Sequence, residues 1–328
     1  LLTAARRQDL SVVAEGAAGC FANLLAPALG APLWFGTAQP QPFRGQFSPR
    51  RLLDDFGAPE RPRVNQLFGI VGAQLSQSPS AYLHNQGYRQ LALPALYVPF
   101  VCDTLDEIVG AQLRNGFLAL GMPLHGLTVV APHKDAAVRL TSRASALSQR
   151  IAAANLLLLR DDEVYADSTD AEGIMAPLVA RGWNVRALRT AIIGCGGAGR
   201  AAAQALKDAG AHVILSNRSV ERGLAAAQRL ALPFLRREEF RAADFEVIVN
   251  ATPCAGQSGE QPFDVQKLRP GAILLDFVYA AQSTPLAAAA RANGLRVIEG
   301  KEILHYEVRR QFQQMVGAPL RTPSRMAM

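Results

Sequence analysis

Lys134 closes the tract Gly126-Leu-Thr-Val-Val-Ala-Pro-His-Lys134 and is one of only four lysines among 34 basic residues. An ammonium can release its proton near neutral pH when its surroundings favour the free amine, whereas a guanidinium effectively cannot. A chain that writes nearly all its positive charge as arginine, yet keeps a lysine here, points to proton transfer. A second pattern lies downstream, where Ala191-Ile-Ile-Gly194-Cys-Gly196-Gly197-Ala-Gly199-Arg200 contains a complete GxGxxG. In such a loop the first glycine permits a tight turn, the second lets backbone approach a pyrophosphate, and the third lets helix meet strand.

These residues need elements to hold them. The glycine tract follows an apolar strand-like run and opens an Ala-rich helical stretch, Ala201 to Ala209, which Gly210 ends before the strand-like Ala211-His-Val-Ile-Leu-Ser216. A helix N-terminus there offers N–H groups and a positive dipole end to phosphates. The residues after the second strand select the cofactor, because an acidic group binds the ribose hydroxyls of NAD and repels a 2′-phosphate. This chain has Asn217-Arg218-Ser219 instead, which suits the 2′-phosphate of NADP. A later run, Val247-Ile-Val-Asn250-Ala-Thr252-Pro253, reads as a strand whose small polar end meets the nicotinamide side.

Alternating strand-like and helix-like runs over most of the length argue for parallel sheets covered by helices. With 49% hydrophobic and 19% charged residues, the composition is that of a globular chain and not of a disordered one. The apolar run Ile151 to Leu159 is too short to cross a bilayer, so no membrane segment is expected. Cys20, Cys102, Cys195 and Cys254 are scattered without paired spacing, which indicates neither a metal site nor a disulfide framework and fits a reducing cytoplasm. The net charge of +7 is spread along helical segments with no basic block, so nucleic acid is not expected as a partner. Proline and charge interrupt the pattern at Gly57-Ala-Pro-Glu-Arg-Pro-Arg63, and a second boundary falls between Arg181 and Arg189.

The motifs Ser78-Pro-Ser80-Ala-Tyr-Leu-His84-Asn85, the Lys134 tract, Ala152-Ala-Ala-Asn155, Asp167-Ser-Thr-Asp170-Ala-Glu-Gly173, the glycine loop, Asp276-Phe-Val-Tyr279, Thr284-Pro-Leu286 and Gly300 to Leu304 occur in that order. Together they resemble the shikimate dehydrogenase family over about Leu67 to Gly317. The resemblance implies an α/β fold: a substrate-binding domain over 63–185 plus 301–328 and an NADP-binding Rossmann domain over 186–300. It implies that Lys134 and Asp170 pass the proton of the C3 hydroxyl of shikimate while hydride moves to the nicotinamide. Ser78, Ser80 and Tyr279 would hold the substrate carboxylate, and Asn155 a ring hydroxyl. Gly300 joins Gly194, Gly196, Gly197, Gly199, Asn217, Arg218, Ser219, Asn250 and Thr252 on the cofactor side.

Departures from the family pattern cluster at substrate-contacting positions. Thr128 stands for a usual Asn, Val130 for a Thr and Glu307 for a Gln. Thr128 loses one amide donor, Val130 loses a hydroxyl, and Glu307 trades a donor for a charge. Preference among shikimate, quinate and aminoshikimate stays open, as does a non-catalytic NADP-binding module. Residues 1–60, through Val12-Val-Ala-Glu-Gly16, Leu25-Ala-Pro-Ala-Leu-Gly30 and Gly45-Gln46, are similar to the end of type I dehydroquinate dehydratase, with Ala22-Asn23 in place of that family's substrate-binding Ser-Arg pair. A partial (β/α) barrel is therefore expected there, as an excerpt of a longer fused chain. That segment contains no lysine for a Schiff base, so dehydratase activity is not expected. Expected partners are the small-molecule substrate, an upstream dehydratase barrel, and at most a second copy of the chain.

Overall fold

The structure, a computed structural model, describes residues 9, 11, 13–38, 45–60, 63–73, 75, 78–160, 163–254, 261–280 and 282–321. In chain order the elements begin with α1 (Cys20–Leu25), α2 (Pro49–Phe56), β1 (Gln66–Gly72), α3 (Ser80–Gln90) and β2 (Ala95–Val101). Next come α4 (Asp106–Val109), α5 (Ala111–Ala119), β3 (Leu124–Val129), α6 (Lys134–Arg139), β4 (Arg143–Ala144) and α7 (Ala146–Ile151). β5 (Leu156–Arg160), β6 (Glu163–Asp167), α8 (Asp170–Ala180), β7 (Arg189–Ile193), α9 (Gly197–Asp208) and β8 (His212–Ser216) follow. The chain continues through α10 (Val220–Leu230), β9 (Phe234–Leu235), β10 (Val247–Asn250), β11 (Ile273–Asp276), α11 (Pro285–Ala292), β12 (Arg296–Ile298) and α12 (Gly300–Val316).

Two compact units result. One comprises Leu1–Ala144, Asn155–Ala166 and Gln311–Met328, the other Ser145–Ala154 and Asp167–Arg310. Helices α7 and α8, which the sequence reading places within 63–185, group with the second unit because both pack on α9.

The first unit is built on a six-stranded sheet of order β2-β1-β3-β5-β6-β4. β1 pairs in parallel with β2 and β3, and β3 pairs antiparallel with β5. The near-continuous apolar runs of β1 and β2 are buried along almost their whole length, as strands covered on both faces require. β2 lies at the edge, where Pro99 can do without an N–H. The N-terminal segment covers that edge. Cys20 Sγ donates to Pro99 O at 3.3 Å, and Phe21 packs on Phe100 and Phe117 with ring centroids 5.2 and 5.9 Å away.

α2 owes its bounds to local chemistry: Ser48 accepts from Arg51 N as N-cap, Pro49 opens the helix, and Gly57 ends it at φ 80°. Among the described residues of 1–60 there are helices, turns and one isolated bridge, Gly36 to Phe47, but no strand pair. Among these described residues the strands of a partial barrel are not seen. So short a piece cannot close a barrel sheet, and its apolar side chains cover an existing edge instead.

The second unit carries an all-parallel sheet of order β12-β11-β10-β7-β8-β9. Numbered from its own first strand this is 3-2-1-4-5-6 read from the other edge, the Rossmann arrangement, with the order reversing between β7 and β10. Ile192, Val213, Leu215, Val249 and Leu275 of the strands and Ala201, Ala202 and Leu206 of α9 share one core with Ile174 and Leu178 of α8.

Candidate active site

Gly194 leaves β7 at φ 103°, a backbone conformation that glycine adopts without steric cost. A Cβ on Gly199 would lie 1.8 Å from Gly194 O, so only glycine lets α9 approach the loop this closely. A Cβ on Gly196 would meet nothing within 4 Å, which leaves open room beside the backbone where a pyrophosphate can come close. Gly197 is the first residue of α9. Loop, open room and helix N-terminus together fit a dinucleotide. Cys195 takes no part as a nucleophile, because burial raises its thiol to about 11.

After β8, Asn217 is committed to the protein itself: its Oδ1 accepts from Cys195 N at 3.1 Å and its Nδ2 donates to Ser219 O at 2.8 Å. Ser219 caps α10 by accepting from Arg222 N. Arg218 is the exposed member of the trio. Arg200, quoted above only as the end of the motif, is 8% exposed and donates to Ile151 O at 2.6 Å, Cys195 O at 3.0 Å and Ala152 O at 3.2 Å. It ties the glycine loop to the end of α7. A buried arginine could be read from an all-apolar neighbourhood, but its carbonyl partners depend on a distant helix end.

On the far side of the switch point, Asn250 Oδ1 accepts from Thr252 N and Oγ1, and Asn250 Nδ2 donates to Cys254 O and to Asp276 Oδ1. Asp276, 1% exposed, also accepts from Val278 N and from Thr284 Oγ1. Burial pushes its carboxyl above the ordinary value, opposed by the bonds from Thr284, Val278 and Asn250. Through this network Asp276 anchors both ends of the loop that carries Tyr279, a role the sequence reading did not give it. Gly300 abuts the same loop, since a Cβ there would lie 2.4 Å from Val278 O.

Asp170 is the first residue of α8 and is 1% exposed, at a helix end where an acidic side chain is favoured. Glu307 on α12, 8% exposed, is laid across the same helix. A Cβ on Gly173, one turn beyond Asp170, would lie 2.7 Å from Glu307 Cγ and 2.9 Å from its Oε1. The structure therefore brings Glu307 alongside the turn that bears Asp170.

In the first unit Ser78 and Ser80 are brought together, with Ser78 Oγ donating to Ser80 Oγ at 3.1 Å and Ser80 N donating to Ser78 Oγ at 3.3 Å. Thr128 is 3% exposed, and its hydroxyl bonds to Tyr97 OH and donates to Gly69 O, so much of its hydrogen-bonding capacity is used inside the sheet. Asn155 sits where β5 begins, its backbone O accepting from Val129 N at 2.8 Å. Lys134 is the half-buried first residue of α6, directly after buried His133, whose Nε2 lies 3.3 Å from Cys102 O. Among the described residues no His, Cys, Asp and Glu cluster could hold a metal ion, and no helix is long and apolar enough to cross a membrane.

Comparison with known proteins finds the same two parts. Residues 70–157 match the shikimate dehydrogenase substrate binding domain, and residues 184–264 match the NADPH-binding domain of acetohydroxy acid isomeroreductase. The NADP(+) shikimate dehydrogenase of Acidiphilium cryptum is 35% identical over 248 residues, covering 74% of this chain and 87% of that one. The chloroplastic bifunctional 3-dehydroquinate dehydratase/shikimate dehydrogenase of Arabidopsis thaliana is 27% identical over 326 residues, 93% of this chain but 53% of its own length. The Thermus thermophilus shikimate 5-dehydrogenase, solved with NADP(H) and shikimate, superposes with a TM-score of 0.69 at 28% identity over 78% of this chain and 95% of that one. Motif order, Rossmann strand order and identity across nearly the whole length of an enzyme of this kind converge: the chain belongs to the shikimate dehydrogenase family.

Proposed function

We propose that this protein is an NADP-dependent oxidoreductase that interconverts 3-dehydroshikimate and shikimate. Kinship across the full dehydrogenase span, with Lys134 and Asp170 retained in their motifs, carries the assignment. The bound dinucleotide supplies or accepts the hydride. Lys134 and Asp170 hold and move the proton of the C3 hydroxyl, the work suited to an amine and a carboxylate. Ser78 and Ser80 give up their mutual bond to donate two hydroxyls to the substrate carboxylate, with Tyr279 adding a third. Asn155, Thr128 and Glu307 face the ring hydroxyls. Gly194, Gly196, Gly197, Gly199, Asn217, Arg218, Ser219, Asn250, Thr252 and Gly300 hold the dinucleotide, by backbone, brace or charge as each allows.

Steady-state reduction of NADP⁺ and NAD⁺ with shikimate and with quinate tests this. Turnover of shikimate with NADP⁺ is expected, and tight NADPH binding without turnover of either acid would reduce the protein to a binding module. Arg218→Ala should raise KM for NADP⁺ about tenfold while changing KM for NAD⁺ little, the effect of one charged hydrogen-bond partner lost from a 2′-phosphate. Equal effects on both cofactors would remove Arg218 from the phosphate.

A quinate or aminoshikimate preference has its own support in Val130 and Glu307, which alter donors where the family meets its substrate. Glu307→Gln restores the amide and should lower KM for shikimate by about threefold to tenfold if a carboxylate is unfavourable near an anionic acid. An unchanged KM would mean that Glu307 does not face the substrate. For residues 1–60 we infer descent from the end of a type I dehydratase, supported by the alignment of nearly the whole chain with a bifunctional relative. A cytoplasmic setting follows for an enzyme that draws on NADP and carries unpaired cysteines.

A further inference from the structure

Arg51, in the segment ahead of the dehydrogenase-like part, is held on three sides. Its Nε and Nη2 both reach Asp55 Oδ2 at 2.7 Å, and its guanidinium lies 4.8 Å from the centre of the Phe47 ring. Phe47 is itself fixed by Phe56, 5.2 Å away, and both rings are buried. Asp55, 6% exposed, is a costly carboxylate to bury unless it orients something. What it orients is the guanidinium, whose Nη2 also donates to the backbone carbonyl of Ser78 at 3.3 Å.

Ser78 lies in the turn between β1 and α3, and Ser80 is the first residue of α3. Among the described residues, Ser78 N donates to Leu75 O, Ser80 N to Ser78 Oγ and Ser78 Oγ to Ser80 Oγ. Rotation of the Ser78 peptide would swing its hydroxyl away from that of Ser80 and undo the paired donors. A planar, charged donor locked by a carboxylate and a ring resists that rotation better than a flexible ammonium or water. A second tie runs the same way, with Arg89 of α3 donating to Asp54 O at the end of α2 at 3.0 Å. Phe47, Asp55 and Phe56 belong to the N-terminal segment and lie outside the substrate-domain match at 70–157.

We propose that Arg51 is a positioning residue for substrate binding: by gripping the Ser78 carbonyl it keeps both serine hydroxyls on one side of the turn, so the N-terminal segment sets affinity for the substrate's carboxylate. This rests on the shikimate dehydrogenase activity proposed above. Arg51→Met keeps the apolar stem and removes the donor. It should raise KM for shikimate about threefold to tenfold, the worth of one charged hydrogen bond, with kcat and KM for NADP⁺ within about twofold of the parent. Arg51→Lys should recover part of the loss.

In a Ser78→Ala background, Arg51→Met should add little, because the two changes act through one contact. An unchanged KM, a loss confined to kcat, or full additivity would overturn the proposal. Should Arg51→Met fail to fold, Asp55→Asn frees the guanidinium from its orienting carboxylate and should shift KM in the same direction, an unshifted KM again counting against it. If the parent protein turns over no shikimate, the functional reading falls, and hydrogen exchange without ligand decides the positioning. Faster exchange at the Ser78 and Ser80 amides in Arg51→Met supports it, and equal exchange rejects it.

Discussion

Replacing Lys134 with alanine should lower kcat for shikimate oxidation by more than about a hundredfold, the usual contribution of a positioned acid–base group. NADPH affinity should stay close to that of the parent, because the glycine loop and Arg218 are built from other elements. Folding should survive, since Lys134 opens a short helix and is half-buried, and alanine is the better helix former. Lys134→Arg separates two explanations that alanine leaves joined. If the ammonium served only as a fixed charge, arginine would restore much of the rate. If it gives and takes a proton, arginine would not, because a guanidinium does not ionise in the working range. Pre-steady-state rates of NADPH formation make the comparison free of product release. A Lys134→Ala enzyme of near-parent rate would remove this residue from the chemistry.

The parts of the molecule that were legible in the sequence are those set by local rules. GxGxxG between an apolar strand and an alanine helix fixes a loop whatever surrounds it, and the close approach at Gly199 and the open room at Gly196 follow from it. What stayed hidden depends on partners far along the chain. Asn217 reads as a small polar group suited to a 2′-phosphate, yet its amide bonds to Cys195 and Ser219. Thr128 reads as a weakened substrate contact, yet its hydroxyl meets Tyr97 across the sheet. Asp276 and Arg200 act through backbone carbonyls and amides that no spacing rule points to. The N-terminal segment carries a similarity to a barrel end that does not say where its apolar residues go, and in the structure they cover the edge of β2.

Acid should destabilise this protein through His84, and the size of the effect can be set from its surroundings. The ring is fully buried, stacked on Tyr97 at 4.2 Å and 7°, with Tyr88 and Phe312 centred 6.1 and 5.7 Å away. Burial holds its pKa down to about 3, opposed by a hydrogen bond with Gln311. A cation against Tyr97 would gain on the order of 2 kcal/mol from the ring face, less than the several kcal/mol that burying an ion costs, so the imidazole stays neutral. Between its folded value and the unfolded value near 6.5, the unfolded chain carries a proton that the folded chain lacks. Stability is therefore complete above that unfolded value and is lost as pH falls through the window.

The slope is about 1.4 kcal/mol per pH unit, or roughly 3 kcal/mol over two units. His84→Phe keeps the stacked ring and removes the titration. Its unfolding free energy, measured by urea at about pH 7 and about pH 4.5, should fall by roughly 3 kcal/mol less than that of the parent. Burial also lowers His125 and His305 and raises Asp55 and Asp276, but these contribute to both proteins and cancel in the difference. Equal losses in the two proteins would show that His84 does not titrate between those pH values. A smaller loss in His84→Phe would also tie acid sensitivity to the first unit's sheet, because Tyr97 of β2, the ring on which His84 rests, is bonded through its hydroxyl to Thr128 of β3.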